Sequence, residues 1–485
     1  MHCEEQFAEC SYDREKYNVV LIFHGYEVAL KTPVINNSFV DNILSRIRST
    51  AIGRIFEDST VVMVTQLFAM AMVFLYSVVT ASWFGAGAEM DAFVMASTVP
   101  NYIINLVTSG VAAAMIPAFI AAIKNEGHES AQKLFSNLST LLIASLVMIG
   151  IISILSGKYL LSLICIGFDT QTLTLTANLY YILIPSMIVT GLTVQWSATL
   201  NALNSFAMPG IARGVQSLFA VVSVWLVGSI LGIYVLPFGV LFGAVIYLVI
   251  LGLCLARKNI SLLPSWSGLS TRTRQTLRQY LSMFIGAAFL GSTLLVDQVM
   301  ASSMGPGSVA ALNYGNTLAL AFQSLISMAL STAILPHFSV LSSDGNINEL
   351  RHTLGFYILV MLIVTVPITL ATFHWSDDIV RIVYQRGVFT EDDTQMVSSV
   401  QRMAVLQVPF YLMGITGAGF LSSTFQNQLL MKINLFTTAA KIGLNFLLMP
   451  RLGLPGLALA TSCMYILSCV LILYATYSWI RRRVK

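Results

Sequence analysis

Long apolar stretches separated by short polar segments dominate the chain from about residue 58 onwards. A helix needs about 20 residues to cross the ~30 Å hydrocarbon core of a bilayer, because each residue adds ~1.5 Å. Twelve stretches reach that length, which predicts an all-α polytopic membrane protein with about 12 transmembrane helices. Their approximate limits are 60–83, 91–122, 135–156, 172–202, 207–231, 234–256, 281–303, 308–338, 353–374, 397–423, 429–449 and 455–479.

Two of these stretches repeat one plan at an offset of about 220 residues. The segments 84–119 and 304–338 both open on a Gly-x-Gly turn, continue as an apolar helix rich in Ser, Thr and Asn, and close on Pro-x-Phe. Spans six and twelve resemble each other at nearly the same offset. Six spans per half is an even number, so the halves share one orientation. Such a repeat is typical of a transporter whose substrate lies between two lobes.

This pattern predicts the organisation of the whole chain. We expect two six-helix lobes joined by a basic cytoplasmic linker, with a polar extension before them and a basic tail after them. The predicted segments are the extension 1–57, the N-lobe 58–256, the linker 257–279, the C-lobe 280–480 and the tail 481–485.

Composition supports a membrane location, and charge predicts the orientation. The chain has 485 residues, of which 56% are hydrophobic and 10% charged, so lipid must be the solvent for most of it. Lys and Arg concentrate on one side, before span one, in the linker and in the tail. The positive-inside rule therefore predicts that both termini and the extension are cytoplasmic.

The sequence gives no reason to expect an enzyme. It has no Walker loop, no cluster of His, Asp and Glu at a membrane face, and six Cys without metal-ligand spacing. The net charge of +4 does not indicate nucleic acid as a partner. We expect a monomer among membrane lipids without catalytic residues, metal or cofactor. The energy source, a coupling ion or the membrane potential, stays open.

Polar side chains within the spans are the candidate substrate contacts. An ionisable group at the bilayer centre costs about 2.5–3.5 kcal/mol on insertion scales, so such groups should face a cavity or a partner. Amides and hydroxyls on the repeat mates, spans two and eight, would suit the hydroxyls of a sugar. The alternative for each residue is a hydrogen-bonded contact between helices. The candidates are Asp91, Asn101, Asn105, Asp297, Asn313, Asn316, Thr317, Lys441 and Asn445.

The acidic cluster after Gly387 has two possible interpretations. Glu391, Asp392 and Asp393 follow Thr390, which gives the spacing of a helix N-cap with an acidic residue three positions later. A metal site is the alternative. The capping arrangement predicts that a helix begins here.

A set of short motifs extends over about residues 58–480. They are FGAGAEMDAF with Pro100-Asn101, Gly167-Phe168, the stretch 200–209, Asn313-Tyr314 with Leu335-Pro336, and YQRGVFTEDDT at 384–394. Together they resemble MurJ (MviN) proteins, the lipid II flippases of the MOP superfamily. The last motif is the most specific, because the family places a Gly-x-Phe-Thr turn before its tenth helix. The resemblance implies a MATE-like fold and export of an undecaprenyl-linked sugar precursor across the bacterial inner membrane.

The same resemblance identifies positions where this chain differs from the family. Family members carry two arginines in the first helix, a basic residue in the second and an arginine in span eight. Those positions are Met70, Tyr76, Ile104 and Thr317 here. In the family these cations are thought to meet the diphosphate of the lipid carrier, and we hypothesise that Lys441 replaces their charge. The chain therefore looks like a divergent member.

Three functions compete at this point. The first is a MurJ-type flippase for lipid II or a related undecaprenyl-diphosphate-linked saccharide, and the close alternative is a flippase for O-antigen or exopolysaccharide units. The second is an ion-coupled multidrug exporter of the same superfamily. The third, an intramembrane transferase, lacks the clustered acid and base residues that it needs.

Overall fold

The computed structural model describes residues 19–23, 26–30, 51–268, 271–343, 347–424 and 426–484. The chain divides into two compact units, Met1–Thr60 and Val61–Lys485. The first unit contains the antiparallel strands β1 (Val19–Phe23) and β2 (Tyr26–Leu30), with Val19 opposite Leu30 and Phe23 opposite Tyr26. Most of the predicted extension 1–57 lies outside the described residues, as does the end of the tail at Lys485.

The second unit is helical throughout its described residues, apart from the connections, and its first helix begins before the boundary, at Ala51. Its helices lie between short turns, several of which contain Gly or Pro. In chain order they are α1 (Ala51–Phe84), α2 (Ala88–Thr108), α3 (Val111–Glu126), α4 (His128–Ile164), α5 (Thr170–Ala202), α6 (Ala207–Leu231), α7 (Val235–Arg257), α8 (Thr271–Ser302), α9 (Ser308–Ser343), α10 (Ile347–His374), α11 (Ser376–Tyr384), α12 (Glu391–Val405), α13 (Gln407–Ser423), α14 (Asn427–Leu452) and α15 (Leu454–Val484).

Each predicted span coincides with one helix or with two consecutive helices, so the predicted all-α membrane fold is confirmed. Span two consists of α2 and α3, which meet at Gly110, and span ten consists of α12 and α13, which meet at Leu406. By length and composition, eight stretches of the described residues can cross a membrane, and Ala207–Arg257 contains two predicted spans. Predicted spans seven, eight and eleven are the long helices α8, α9 and α14.

The helices group into two lobes. In the N-lobe α5 packs against α2, α3, α4 and α7, and in the C-lobe α15 packs against α12, α13 and α14. The main contacts between the lobes join α2, α3 and α4 to α8, and α2 to α9. One apolar core draws on both lobes, with Met95 and Tyr180 from the first and Tyr314 and Tyr384 from the second. Two further cores each belong to a single lobe.

The linker between the lobes is held along the start of α4. Gln132 exchanges two hydrogen bonds with the backbone of Ser261, at 2.8 and 2.9 Å. Asn137 accepts from the Ser267 N–H and donates to the Gly268 carbonyl, both at 2.9 Å. These side chains satisfy backbone groups in a segment without regular secondary structure. The linker thus attaches to the N-lobe although it leads into the C-lobe.

The predicted cap after Gly387 is confirmed. The Thr390 hydroxyl accepts from the Asp393 N–H, and the Asp393 carboxylate accepts from the Thr390 N–H, which together form a capping box at the start of α12. We expect Thr390→Ala to lower the free energy of unfolding by about 1 kcal/mol, since one N–H loses its acceptor. Thr390→Ser keeps that acceptor and should cost much less. Thermal unfolding of the purified protein compares the two, and an equal loss would contradict the capping role.

Candidate functional site

The two Gly-x-Gly turns that revealed the repeat meet between the lobes. Gly85 and Gly307 have φ angles of +62° and +85°, in a region that residues other than glycine rarely adopt. A Cβ atom on Gly307 would lie 2.3 Å from the carbonyl oxygen of Ala86. The two backbones therefore approach more closely than any side chain would allow. The repeat places glycine on both sides of this contact.

Asp91 of α2 caps the helix of the other lobe. Its carboxylate is fully buried and accepts from the Gly307 N–H at 2.6 Å and from the Ala310 N–H at 2.7 Å. These N–H groups belong to the start of α9, where the helix dipole favours a negative charge. A cap is normally supplied by a residue next to the helix in sequence. Here it comes from the N-lobe, so separating the lobes at this point would remove it.

The motif 384–394 adds a third turn to the contact. Gly387 has a φ of +62°, and a Cβ there would lie 2.1 Å from the Ser82 carbonyl oxygen. The next residue, Val388, donates its N–H to that oxygen at 3.0 Å. Nearby, the hydroxyls of Ser77 and Tyr384 lie 3.0 Å apart, and the Tyr384 and Tyr314 rings are 5.1 Å apart. We call these three turns and Asp91 the glycine-turn interface.

The glycine-turn interface joins the two lobes at one end of the helices. It lies at the amino ends of α2 and α9, opposite the end where the linker binds α4. The apolar core shared by both lobes surrounds it. This contact depends on buried, directional hydrogen bonds to the backbone. Opening it would require the lobes to move apart as bodies.

The predicted amide stripes lie along α2 and α9, further from the glycine-turn interface. Asn101 and Asn105 are exposed on α2, whereas Asn313, Asn316 and Thr317 are half-buried on α9. At ~1.5 Å per residue, Asn101 and Asn105 lie roughly 20–26 Å along α2 from its first residue, and the three α9 positions lie roughly 8–14 Å along α9. The α2 amides therefore lie about 12 Å further from the turns, measured along the helices, than the α9 positions do. Thr317 also donates its hydroxyl to the Asn313 carbonyl at 2.8 Å.

The three remaining candidates form a buried cluster inside the C-lobe. The Lys441 ammonium donates to Asp297 Oδ2 at 2.6 Å, and Asn445 Nδ2 donates to Asp297 Oδ1 at 2.7 Å. Asp297 comes from α8, and the other two lie one turn apart on α14. Lys441 is 2% exposed and Asp297 5%. The positive charge of Lys441 is thus balanced within the lobe in this conformation.

The nine predicted residues therefore occupy three separate places. Asp91 lies in the glycine-turn interface, the amides and Thr317 lie along α2 and α9, and the charged cluster lies within the C-lobe. Their roles toward a substrate stay predictions. Sequence reasoning missed Ser77 and Tyr384, which are polar contacts between lobes. The only signal for them was that Tyr384 begins the motif 384–394.

Solved structures of two membrane transporters have the same fold as this chain. A solved structure described as lipid II flippase MurJ in an inward closed conformation matches with a TM-score of 0.75 and 21% identity, covering 85% of this chain and 87% of that one. A multidrug-resistance MATE transporter of the MOP superfamily, in an inward-facing conformation, matches with a TM-score of 0.71 and 12% identity over 87% and 98% of the two chains. Identities this low establish the fold alone.

The family profile described as lipid II flippase MurJ matches residues 80–483. The chain belongs to the MurJ family. A curated relative, the probable lipid II flippase MurJ of Rhizobium tropici, is 26% identical over 391 residues, covering 78% of this chain and 72% of that protein. MurJ proteins are transporters and not enzymes, so the chain is a multi-pass membrane transporter.

Proposed function

We propose that this MurJ-family protein moves an undecaprenyl-diphosphate-linked saccharide, lipid II or a related unit, across the bacterial inner membrane by alternating access. The family match over residues 80–483 is the observation that carries the proposal. The two-lobed fold and the closed glycine-turn interface support it, because alternating access needs two bodies with a contact that can open.

The physical task explains why a cleft is needed. A sugar diphosphate loses its water of hydration in ~30 Å of hydrocarbon without gaining other hydrogen bonds. A polar cleft between the lobes supplies replacement partners for the headgroup. The prenyl tail can stay in lipid meanwhile. Transport then needs only the polar part of the substrate to change sides.

The amide stripes are our candidates for the cleft wall. Asn101 and Asn105 are exposed on a membrane-spanning helix, and an amide facing hydrocarbon would lack partners. A water-filled cleft resolves that cost. On α9, the repeat mate of this helix, Asn313 and Asn316 retain partial exposure. Amides both donate and accept, so they suit sugar hydroxyls.

Orientation follows from the charges. With both termini in the cytoplasm, the basic linker lies inside and the glycine-turn interface lies on the periplasmic side. This conformation is then closed toward the periplasm. We propose that the protein works as a monomer, and that a coupling ion or the membrane potential drives the return step.

Complementation tests the proposed substrate. Expression of the chain in a strain depleted of its own lipid II flippase should restore growth. Asn105→Leu should reduce that rescue at equal protein level, whereas Val147→Leu, on an exposed apolar position of α4, should not. Failure of rescue, with recovery of a polysaccharide-export mutant instead, would overturn lipid II as the substrate.

The absence of the family's cations supports a related saccharide lipid as an alternative substrate. Met70, Tyr76, Ile104 and Thr317 occupy positions where the resemblance implies cations, and none of them carries a charge. The one buried cation of the C-lobe cluster, Lys441, is already paired with Asp297. An undecaprenyl-linked saccharide with a headgroup different from that of lipid II is therefore the second candidate substrate. The polysaccharide-export mutant in the complementation experiment tests it directly.

A further inference from the structure

An apolar cavity of about 350 Å³ lies between the first three turns of α8 and the N-lobe helices α2 to α5. Val111, Leu141, Leu142, Ile149 and Leu277 contribute to its wall. Small-molecule sites typically have volumes of about 300–1,000 Å³. Since an apolar cavity of about 150 Å³ accommodates benzene, this one has room for a chain of roughly a dozen carbon atoms.

This cavity is distinct from the candidate substrate cleft. Val107 lines the cavity and is buried, whereas Asn105 is exposed on the same helix. Residues two positions apart on a helix with 3.6 residues per turn are separated by about 200° around the helix axis. The cavity and the amide stripe therefore lie on opposite faces of α2. A ligand here would not touch Asn101 or Asn105.

One polar group in the wall is incompletely paired. Gln195 of α5 is 1% exposed, and its Nε2 donates to Ser139 Oγ at 2.9 Å and to the Phe135 carbonyl at 3.3 Å. Its Oε1 accepts no hydrogen bond from the described part of the chain. A buried carbonyl oxygen without a donor is unfavourable. A ligand with an O–H group would supply the donor, and a hydroxyl can pair with either end of the amide.

We propose that the cavity binds a lipid with a single alkyl chain and a hydroxyl headgroup, such as a long-chain alcohol or a monoacylglycerol. The chain would fill the apolar wall, and the hydroxyl would donate to Gln195. Because Thr276, Leu277 and Tyr280 belong to α8, the helix that leads into the C-lobe, and the other wall residues belong to the N-lobe, the ligand binds the arrangement in which these helices are together and stabilises it.

Photolabelling of the purified full-length protein tests this site. The probe is dodecanol with a diazirine near its terminal methyl group. We expect saturable labelling of peptides from 107–115 and 138–149, with unlabelled dodecanol competing about tenfold better than its methyl ether, which cannot donate a hydrogen bond. Ala114→Phe, which fills the cavity, should reduce labelling about tenfold. Ala113→Phe, on the exposed face of the same helix, should leave it unchanged.

A second variant keeps the test decisive if Ala114→Phe does not fold. Gln195→Met retains the volume of the side chain but removes the acceptor, so dodecanol and its ether should then compete equally. Equal labelling of the Ala113→Phe and Ala114→Phe proteins would overturn the proposal. It would also be overturned if undecaprenyl phosphate competed more strongly than dodecanol, since the cavity would then hold the substrate tail. The binding measurement does not depend on which substrate complementation identifies.

Discussion

Lys441→Met should lower the free energy of unfolding by about 3–5 kcal/mol, the usual result of removing one partner of a buried ion pair. The variant would remove the ammonium that pairs with the buried carboxylate of Asp297 and leave that carboxylate with neutral donors such as the Asn445 amide. Thermal and urea unfolding of the detergent-purified protein, followed by tryptophan fluorescence, measures the change. A variant as stable as the parent protein would show that the pair does not form.

The matched control is the double variant Asp297→Asn with Lys441→Met. It removes both charges together, and the amide at position 297 still accepts from Asn445. We expect stability within about 1 kcal/mol of the parent protein, because replacing a whole buried pair by neutral groups is often neutral or favourable. The difference between the single and double variants isolates the uncompensated charge from any change in volume.

The double variant also separates two roles of Lys441. A stable double variant that still rescues the flippase-depleted strain would mean that the ion pair is structural. A stable double variant without rescue would mean that a charge in this cluster serves transport, as the substrate hypothesis for Lys441 requires. The single variant alone cannot distinguish these outcomes, because it changes stability and charge at once.

The positions of the spans were predictable from the sequence because a bilayer leaves little choice. A stretch of about 20 apolar residues can satisfy its backbone in lipid only as a helix. The positions of the helix breaks within spans two and ten were not predicted. They occur at Gly110 and Leu406, where one long apolar stretch contains two helices. Hydropathy averages over such a stretch and does not register a local break.

The relation between distant side chains was not predictable in the same way. Asp91 was recognised as a polar group at the start of a span, but its partner is the backbone of residues 307 and 310. Lys441 was recognised as a deep cation, yet its partner Asp297 lies 144 positions earlier in the chain. One sequence identifies which polar groups need partners. It does not tell which of the available groups the fold brings to them.

The glycine turns are the exception, because the internal repeat identified both sides of a contact before any distance was known. The turns 85–87 and 305–307 occur at corresponding places in the two halves, and in the structure Gly307 lies against the backbone of Ala86. Two like-oriented lobes related by an axis along the membrane normal bring equivalent elements to the same depth. The repeat therefore carried information on the interface as well as on the topology.

Gly307→Ala should shift the protein away from the conformation closed at the glycine-turn interface. A residue other than glycine at a φ of +85° costs about 1–3 kcal/mol, and the added Cβ would also lie 2.3 Å from the Ala86 carbonyl oxygen. We expect the ratio of closed to open molecules to fall at least about tenfold, the equivalent of about 1.4 kcal/mol. Electron paramagnetic resonance distances between spin labels at the exposed positions 89 and 303, with the native cysteines replaced, report that ratio.

Two glycines in the same pair of turns separate backbone strain from steric contact. Gly305 has a φ of +105° but nothing within 4 Å of an added Cβ, so Gly305→Ala introduces strain alone and should have a smaller effect. Gly87 has a φ of −111° and equally open surroundings, so Gly87→Ala should leave the distances unchanged. If Gly307→Ala matched Gly87→Ala, the lobes would not need the close backbone approach. The approach of Gly307 to Ala86 would then not be what holds the lobes together, because a contact that tolerates a side chain does not depend on the bare backbone.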